Sequence, residues 1–244
     1  MKRINILNKK AQVTGFIIVA IVIIIIILLL FFYYQNDIKY ALADDDIKKV
    51  VPIMEECLEM RALDAVRLVG LQGGYVKLPN DHLYIEPFGT SYGYFKGVKT
   101  LLTLKEIEKE INSYILLTLQ LCVEPEYFPG LKISFGDPKV NSKIKDDFVA
   151  VSAKLPVYAN KEDKSFTITR DINTNINIKL GKQYKVAEEI IDRTSKDPSY
   201  IDLDYISSTE FYIVAVPYSD DEMLYTITDN SLQIPYTFRF ANKF

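Results

Sequence analysis

The sequence has little of the chemistry that marks many enzymes and metal sites. It contains one histidine, two cysteines and no tryptophan among 244 residues. It has no G-x-S-x-G or H-E-x-x-H motif, and no thiol–histidine pair with metal-ligand spacing. Its acidic runs fit solvated turns or helix ends more simply than a catalytic pair. We therefore predict a non-enzymatic protein with no catalytic residue, no cofactor and no metal site.

An alternative activity would have to involve His82. This residue follows Pro79-Asn80-Asp81, a turn sequence that favours an exposed side chain. A Ser-His-Asp triad built on His82 stays open, although nothing in the sequence marks its serine. A membrane-anchored hydrolase is accordingly our second alternative function.

The chain also lacks a basic stripe. Lys2, Arg3, Lys9 and Lys10 give residues 1–11 a charge of +4 with no acid, whereas the whole chain carries −3, which leaves −7 on the remainder. Proteins that bind nucleic acid neutralise phosphates with clustered lysine and arginine. The acidic balance beyond residue 11 therefore argues against nucleic acid as a partner.

A long apolar run is the strongest feature present. Every residue from Phe16 to Phe32 is apolar, and Tyr33 and Tyr34 extend it with the aromatic character of a membrane interface. Residues 12–34 would form a helix of roughly 34 Å, against a hydrocarbon core of about 30 Å. We predict a single transmembrane helix over 12–34, with the lipid bilayer as a partner.

The charges on either side of this run predict its orientation. The basic segment 1–11 should stay in the cytoplasm, and Asp44-Asp45-Asp46 follows on the other side. The C-terminal domain would then be extracellular, on a single-pass protein of the cell membrane. A cleaved secretory signal peptide with Ala41-Leu42-Ala43 as its site is an alternative, but the apolar run exceeds an ordinary h-region. A buried core helix fits less well, because the run has no polar face.

A short motif before the run resembles a known processing signal. Lys9-Lys10-Ala11-Gln12-Val13-Thr14 is similar to the class III signal peptide of archaeal type IV pilin-like proteins. The resemblance implies cleavage between Ala11 and Gln12, next to Lys10, with the helix retained. Many pilins have glutamate five residues after the cut, where this chain has Phe16. A basic flank that only sets topology is the other interpretation of the motif.

The remainder of the sequence predicts an α+β fold with about three helices and a largely antiparallel sheet. Apolar residues at steps of three and four predict a helix from Ile47 to Val69, and Thr103 with Glu106 forms a capping box for a second. A third helix is predicted over 181–195. We predict that residues 35–125 form a mainly helical, membrane-proximal part with a short hairpin. We predict that residues 126–244 form a mainly β part, packed with the first as one domain. The predicted strands include 75–78, 131–135, 148–155 and 172–178, with a turn near Asn160.

Cys57 and Cys122 both fall on predicted helices. An even cysteine count in an extracytoplasmic domain favours a disulfide. Closing a loop of about 66 residues would stabilise the fold by roughly 4 kcal/mol. Two buried free thiols are the alternative, and a zinc site is disfavoured because His82 is the only imidazole.

The chain as a whole resembles envelope proteins of unknown activity from small-genome archaea. The similarity lies in the anchor, in Glu56-Cys57-Leu58, in the run Gly70 to Tyr75, in Cys122, and in the C-terminal segment 225–241. It implies a surface protein and no catalytic residues. Our leading hypothesis is an envelope protein whose outer domain makes surface or protein–protein contacts, with other envelope proteins or self-association through the helix as partners. A pilin-like subunit is the alternative.

Overall fold

The computed structural model describes residues 19–30, 48–122, 128, 130–161, 164–197 and 201–244, without the side chains of Cys122 and Lys164. The described residues of Met1–Lys48 and those of Lys49–Phe244 form two separate compact units. The protein is α+β and its sheets are mainly antiparallel, which confirms the predicted fold class.

The first unit contains a helical stretch, α1, at residues 19–30. Its large apolar side chains are exposed. In the part of the chain that the structure describes, no helix is both long and apolar enough to cross a membrane. Residues 1–18 and 31–47 lie outside the described residues, and with them most of the flanks of the predicted span and the sequence Lys10-Ala11-Gln12. The transmembrane helix therefore stays a prediction.

The second unit has four helices among its described residues, one more than predicted. They are α2 (Val50–Leu71), α3 (Leu104–Thr118), α4 (Leu180–Thr194) and α5 (Leu203–Ser208), and a 3-10 helix at Leu119–Cys122 follows α3. α5 is too short to give a periodic sequence signal. Its cap is Asp202, whose carboxylate accepts a hydrogen bond from the Tyr205 backbone N–H at 2.9 Å.

Local sequence explains where the long helices begin and end. Pro52 lies in the first turn of α2, where its missing N–H removes no helical bond. Gly73 and Gly74 have positive φ angles directly after the helix, a conformation that glycine adopts without strain. At α3, the predicted capping box is present: the Glu106 backbone N–H donates to Thr103 Oγ1, and the Thr103 backbone N–H donates to Glu106 Oε2.

A six-stranded sheet, which we call the main sheet, gathers strands from distant parts of the chain. Its order is β1-β2-β12-β11-β10, with β3 also paired to β2. β12 runs parallel to β2, and the other pairs are antiparallel. Both α2 and α4 pack against β12. The strands are β1 (His82–Leu83), β2 (Thr90–Phe95), β3 (Val98–Lys99), β10 (Tyr212–Pro217), β11 (Glu222–Asp229) and β12 (Tyr236–Lys243).

Six further strands form two three-stranded antiparallel sheets, β4-β7-β8 and β5-β6-β9. Their bounds are β4 (Lys132–Phe135), β5 (Lys139–Ile144), β6 (Val149–Lys154), β7 (Val157–Lys161), β8 (Lys164–Ile168) and β9 (Asp171–Ile176). Lys154 faces Asp171, and Val157, three residues after Lys154, faces Ile168, three residues before Asp171. The register between the middle and last strands is therefore continuous through both sheets. We call these six strands together the ribbon.

The first strand of the ribbon carries one extra residue. Lys139 faces Lys154 and Phe135 faces Val157, so four steps on one strand match three on the other. This is a β-bulge at residues 136–138, opposite Pro156, whose carbonyl accepts from the Gly136 N–H at 2.8 Å. Pro156 has no N–H to donate, which explains why the pairing is interrupted at this level.

The structure corrects several of the predicted strands and turns. Residues 75–78 form no strand: the Val76 N–H donates to Glu110 Oε2 at 2.8 Å instead of to a neighbouring strand. Asn160 lies inside β7 and not in a turn. β5 and β7 were not predicted, because β5 has only two apolar residues and Pro156 interrupts the run before β7. The predicted sheet is in fact the main sheet and the separate ribbon.

Candidate functional site

His82 is held by the main chain and not by a catalytic partner. It lies in β1, where its Nδ1 is 2.8 Å from the Pro79 carbonyl oxygen, and its side chain is half-buried. No serine or carboxylate contact of the ring is found among the described residues. Nor do three or more histidine, cysteine, aspartate or glutamate side chains cluster there in a way that could hold a metal ion.

The acidic pairs that were considered for catalysis are placed apart. Glu55 and Glu56 are exposed on α2, and Asp44–Asp46 lies outside the described residues. Asp146 and Asp147 form ion pairs with two lysines of α4, and the hydrogen bond from Lys185 lowers the pKa of Asp146. Asp146 and Asp147 therefore neutralise lysines of α4 and do not face Glu55 and Glu56 across a cleft.

Glu222, at the end of the acidic run 220–222, is less exposed than Glu55, Glu56, Asp146 and Asp147. The Tyr92 hydroxyl donates to Glu222 Oε1 at 2.7 Å, and Lys243 Nζ lies 3.0 Å from the same oxygen. The Tyr92 hydrogen bond lowers the pKa of Glu222. Burial in turn raises the pKa of the Tyr92 hydroxyl, so the phenol stays protonated and donates. The contacts of Glu222 with Tyr92 and Lys243 tie β2 to β11 and β12, which is a structural role.

The two cysteines belong to neighbouring elements. Cys57 is buried on α2, it is not a free thiol, and its Sγ lies 3.5 Å from the Leu119 carbonyl oxygen. Leu119 begins the 3-10 helix that ends at Cys122 and packs against α2. The Cys122 side chain lies outside the described residues. The pairing of the two cysteines therefore stays a prediction.

The ribbon has one apolar face and one polar face. On β6, Val149, Val151 and Ala153 are buried, whereas Ser152 and Lys154 point to solvent. α3 packs against β5 and α2 packs against β9, which covers the apolar face. We call the solvent-facing side the outward face. Its side chains are almost all polar: Lys132, Ser134, Lys139, Asn141, Lys143, Ala150, Ser152, Lys154, Tyr158, Asn160, Ser165, Thr167, Asp171, Asn173 and Asn175.

A shallow trough of about 390 Å³ crosses this face. Ser152 forms its floor, because the small side chain stands opposite Asn141 on one neighbouring strand and opposite Asn173 on the other. Lys139, Lys154 and Asp171 face one another in the next row and line one end. The trough therefore offers amides, a hydroxyl, two ammonium groups and one carboxylate, all from regular strands.

The charge of the outward face differs from that of the rest of the domain. Four of its side chains are lysines, against Asp171 on the strands and Asp137 in the bulge. Lys143 forms an ion pair with Glu108 at 3.1 Å. Lys132, Lys139 and Lys154 make no ion pair with any residue that the structure describes. These three ammonium groups can accept an external anion without losing an internal partner.

A second concavity of about 290 Å³ lies between α2, the end of β9 and the loop before β12. It is lined by Glu59, Leu63, Arg67 and residues 175–178 and 232–236. Ile234 at its rim is 63% exposed. Its lining has one acid, one base and three amides among apolar side chains, so its charges balance. The trough has two lysines against one carboxylate, and this excess of positive charge makes it the stronger candidate.

The sequence could not have identified the outward face. Its lysines, asparagines and serines lie at alternate positions on three strands, and two of the six strands were not predicted. The usable signal was the period of two in residues 148–155, which separates an apolar from a polar face.

Comparison with protein-family models, with curated proteins and with solved structures finds no match to this chain.

Proposed function

We propose that this protein is a single-pass, membrane-anchored component of the cell envelope, whose outer domain is non-enzymatic and makes contacts through the outward face of the ribbon. The anchor is supported by the uninterrupted apolar run from Phe16 to Phe32 with its basic flank. The single observation that carries the contact role is the outward face itself, a polar surface on which three lysines have no ion pair with any described residue, in an otherwise acidic domain.

The anchor and its direction can be tested on the full chain in sealed membranes. We expect the protein to resist extraction with alkaline carbonate, and protease added from outside to degrade residues 49–244. Protection of these residues, with release of the intact chain by carbonate, would contradict the proposal. An epitope tag before residue 1 is the matched control, since it should be cut only after the membrane is opened.

The contact role can be tested by position-dependent cross-linking in intact envelopes. A photo-reactive residue replacing Thr167 on the outward face should cross-link to envelope material. The same residue replacing Lys105, which is exposed on α3, is the control. Equal cross-linking from both positions would show that the outward face has no special role.

A pilin-like subunit is the second candidate, and Lys10-Ala11-Gln12 before the apolar run favours it. In that case the N-terminal segment is removed and the retained helix packs with other copies. Sequencing the N-terminus of the protein from its source cells separates the two candidates. Gln12 as the first residue supports processing, whereas Met1 rejects it.

We further propose that Cys57 and Cys122 form a disulfide that ties α2 to the end of α3. Support comes from the burial of Cys57 and from the position of the 3-10 helix against α2. Mass spectrometry of unreduced digests should find the two peptides linked. A linked mass that appears only after air oxidation of reduced protein would count against a native bond.

A further inference from the structure

We propose that the outward face of the ribbon is a binding site for an acidic polysaccharide, a polymer of sugars bearing carboxylate or sulfate groups. The inference rests on the proposed function and names the partner class. The chemical argument has three parts: the charge of the face, the hydrogen-bonding capacity of its neutral groups, and its lack of apolar anchors.

Charge gives the sign of the partner. Lys132, Lys139 and Lys154 have no ion pair among the described residues, whereas some lysines elsewhere, such as Lys99, Lys182 and Lys243, are paired with carboxylates. An unpaired ammonium group on an acidic domain attracts an anion and pays no cost of breaking an internal bond. Lys132 and Lys139 lie seven residues apart on the first strand of the ribbon, and Lys154 faces Lys139 on the middle strand. An anionic polymer that runs along the strands can therefore meet all three.

The neutral groups indicate a partner rich in hydroxyl groups. An asparagine amide both donates and accepts hydrogen bonds, as a sugar hydroxyl does. Asn141 and Asn173 flank Ser152 on either side of the trough, and Ser152 Oγ lies 3.3 Å from the Asn141 carbonyl oxygen. These groups are held on strands, so little conformational freedom is lost when a ligand binds.

The lack of apolar anchors argues against a protein surface or a membrane as the partner. Tyr158, which is 43% exposed, is the only strongly exposed large apolar side chain among the described residues of the ribbon. Protein interfaces depend on several buried aromatic or aliphatic anchors, and interfacial binding to a bilayer needs an inserted apolar face. One tyrosine beside a polar trough is instead suited to stacking on a sugar ring.

Tyr158 also lies near the charged end of the trough. A Cβ atom placed on Gly136 would lie 3.4 Å from the Tyr158 hydroxyl, so the phenol reaches the bulge next to Lys139. The tighter contact of that Cβ would be with the Pro156 ring, 3.1 Å away. The bulge thus brings the aromatic side chain of the β4-β7-β8 sheet towards the charged row of the β5-β6-β9 sheet.

The test uses the full chain in nanodiscs of uncharged lipid, with polygalacturonate, dextran sulfate and neutral dextran as probes. We expect both acidic polymers to bind and neutral dextran not to bind. Binding should weaken as salt rises from 50 to 200 mM, since ionic contacts are screened. The triple variant Lys132→Gln, Lys139→Gln, Lys154→Gln should weaken binding about tenfold, if each exposed ion pair contributes about half of one kcal/mol.

The matched control removes the same charge elsewhere. Lys77, Lys105 and Lys109 are exposed, lie outside the ribbon and make no ion pair among the described residues. Their triple glutamine variant should change affinity less than twofold. Asn141→Ala with Asn173→Ala leaves the charge unchanged, and it should still weaken polygalacturonate binding about threefold, an effect that charge alone would not produce.

Three outcomes overturn the inference: equal weakening by the two lysine variants, absence of acidic polymer binding, or tighter binding to vesicles of anionic phosphatidylglycerol than to either polymer. These outcomes differ from a failure of the proposed function. If cross-linking from position 167 in envelopes still exceeds that from position 105, the contact role stands and only the polysaccharide is wrong.

Discussion

The main sheet and the ribbon are both built of hydrogen-bonded strands, but they are stabilised by different side chains. The main sheet buries large aromatic residues: Tyr225 and Phe240 stack with ring centroids 5.1 Å apart, and Phe238 lies beside them. The buried side chains of the ribbon are aliphatic and not aromatic, such as Val151, Ala153 and Ile172. The main sheet therefore has the larger apolar contribution per residue, and the ribbon depends more on regular pairing.

The two regions also differ in how they are assembled. β2 and β12 of the main sheet are separated by about 140 residues, and buried polar groups hold α4 to it: Gln183 Nε2 donates to the Ile227 carbonyl at 3.1 Å, and Asn242 Nδ2 to Thr194 Oγ1 at 3.0 Å. The ribbon is assembled within residues 132–176: β5–β6 and β7–β8 are neighbours in sequence, and β4–β7 and β6–β9 are nested around them. Its outward face is exposed. Both regions contribute to the interior, since α2 packs against β9 as well as β12. The ribbon also presents a regular face of exposed polar side chains, which is the surface we propose for binding.

The largest expected effect is in the main sheet. Phe240→Ala should lower the free energy of unfolding by about 3–5 kcal/mol, because Phe240 is fully buried and its removal leaves a cavity beside Tyr225. Urea denaturation of the full chain in mild detergent measures the change. Tyr212→Ala, at a position 63% exposed on β10, is the control and should change stability by less than about 0.5 kcal/mol. A loss below about 1 kcal/mol at Phe240 would contradict the comparison.

Truncation of a buried side chain in the ribbon should lower the free energy of unfolding by less than Phe240→Ala does. Val151→Ala removes two methyl groups from a position that is 2% exposed, and we expect a loss of about 2 kcal/mol by the same measurement. Thr167→Ala on the outward face is the control, and it should be nearly neutral. If Val151→Ala destabilised as strongly as Phe240→Ala, the two regions would not differ in the way we describe.

Glu108 provides a polar tie between α3 and the ribbon. Its Oε1 accepts from the Ile144 N–H at 2.9 Å, and its Oε2 pairs with Lys143. Glu108→Ala leaves the partly buried N–H without its partner and should cost about 1–2 kcal/mol. Glu108→Gln keeps an acceptor oxygen, so its cost should be less than half as large. Similar losses for both variants would mean that the Lys143 ion pair matters more than the backbone bond.

The smallest expected effect depends on pH. The pKa of Glu222 is lowered in the folded protein by the Tyr92 hydrogen bond, so its stabilisation is present above the unfolded pKa of about 4.3 and is lost as pH falls through the lower folded value. Glu222→Gln should therefore lower stability by about 1 kcal/mol at pH 7, and the difference from the natural chain should shrink towards pH 3. A gap that stays constant over this range would show that the carboxylate charge is not involved.

Local sequence signals accounted for much of the fold. The period of α2, the capping box of Thr103 and Glu106, and the apolar face of α4 correspond to helices in the structure at nearly the predicted bounds. β5 was missed because Lys139-Val140-Asn141-Ser142-Lys143-Ile144 contains only two apolar residues. Pairing to β6 makes it a strand, and the sequence of a single segment does not encode its partner.

The candidate site shows the same limit. The sequence offers His82 as a candidate catalytic group, yet its ring contacts the carbonyl of Pro79. Asn141, Ser152 and Asn173 gave no motif, because their proximity depends on the registers of two strand pairs. Asp146 and Asp147 lie in the exposed turn between β5 and β6, as predicted for a solvated acidic run. Glu222 instead lies in β11, where Tyr92 and Lys243 enclose it.

The α+β class and the places where the long helices begin and end follow from local sequence, because helix period and capping act within a few residues. The apolar run 16–32 is also a local signal, and its proposed membrane role rests on length and hydropathy alone. Only the folded chain divides the strands into main sheet and ribbon and brings Lys139 and Lys154, which have no ion pair among the described residues, to one polar trough. These features depend on which strands pair and in what register, and that is set by packing between segments far apart in the chain.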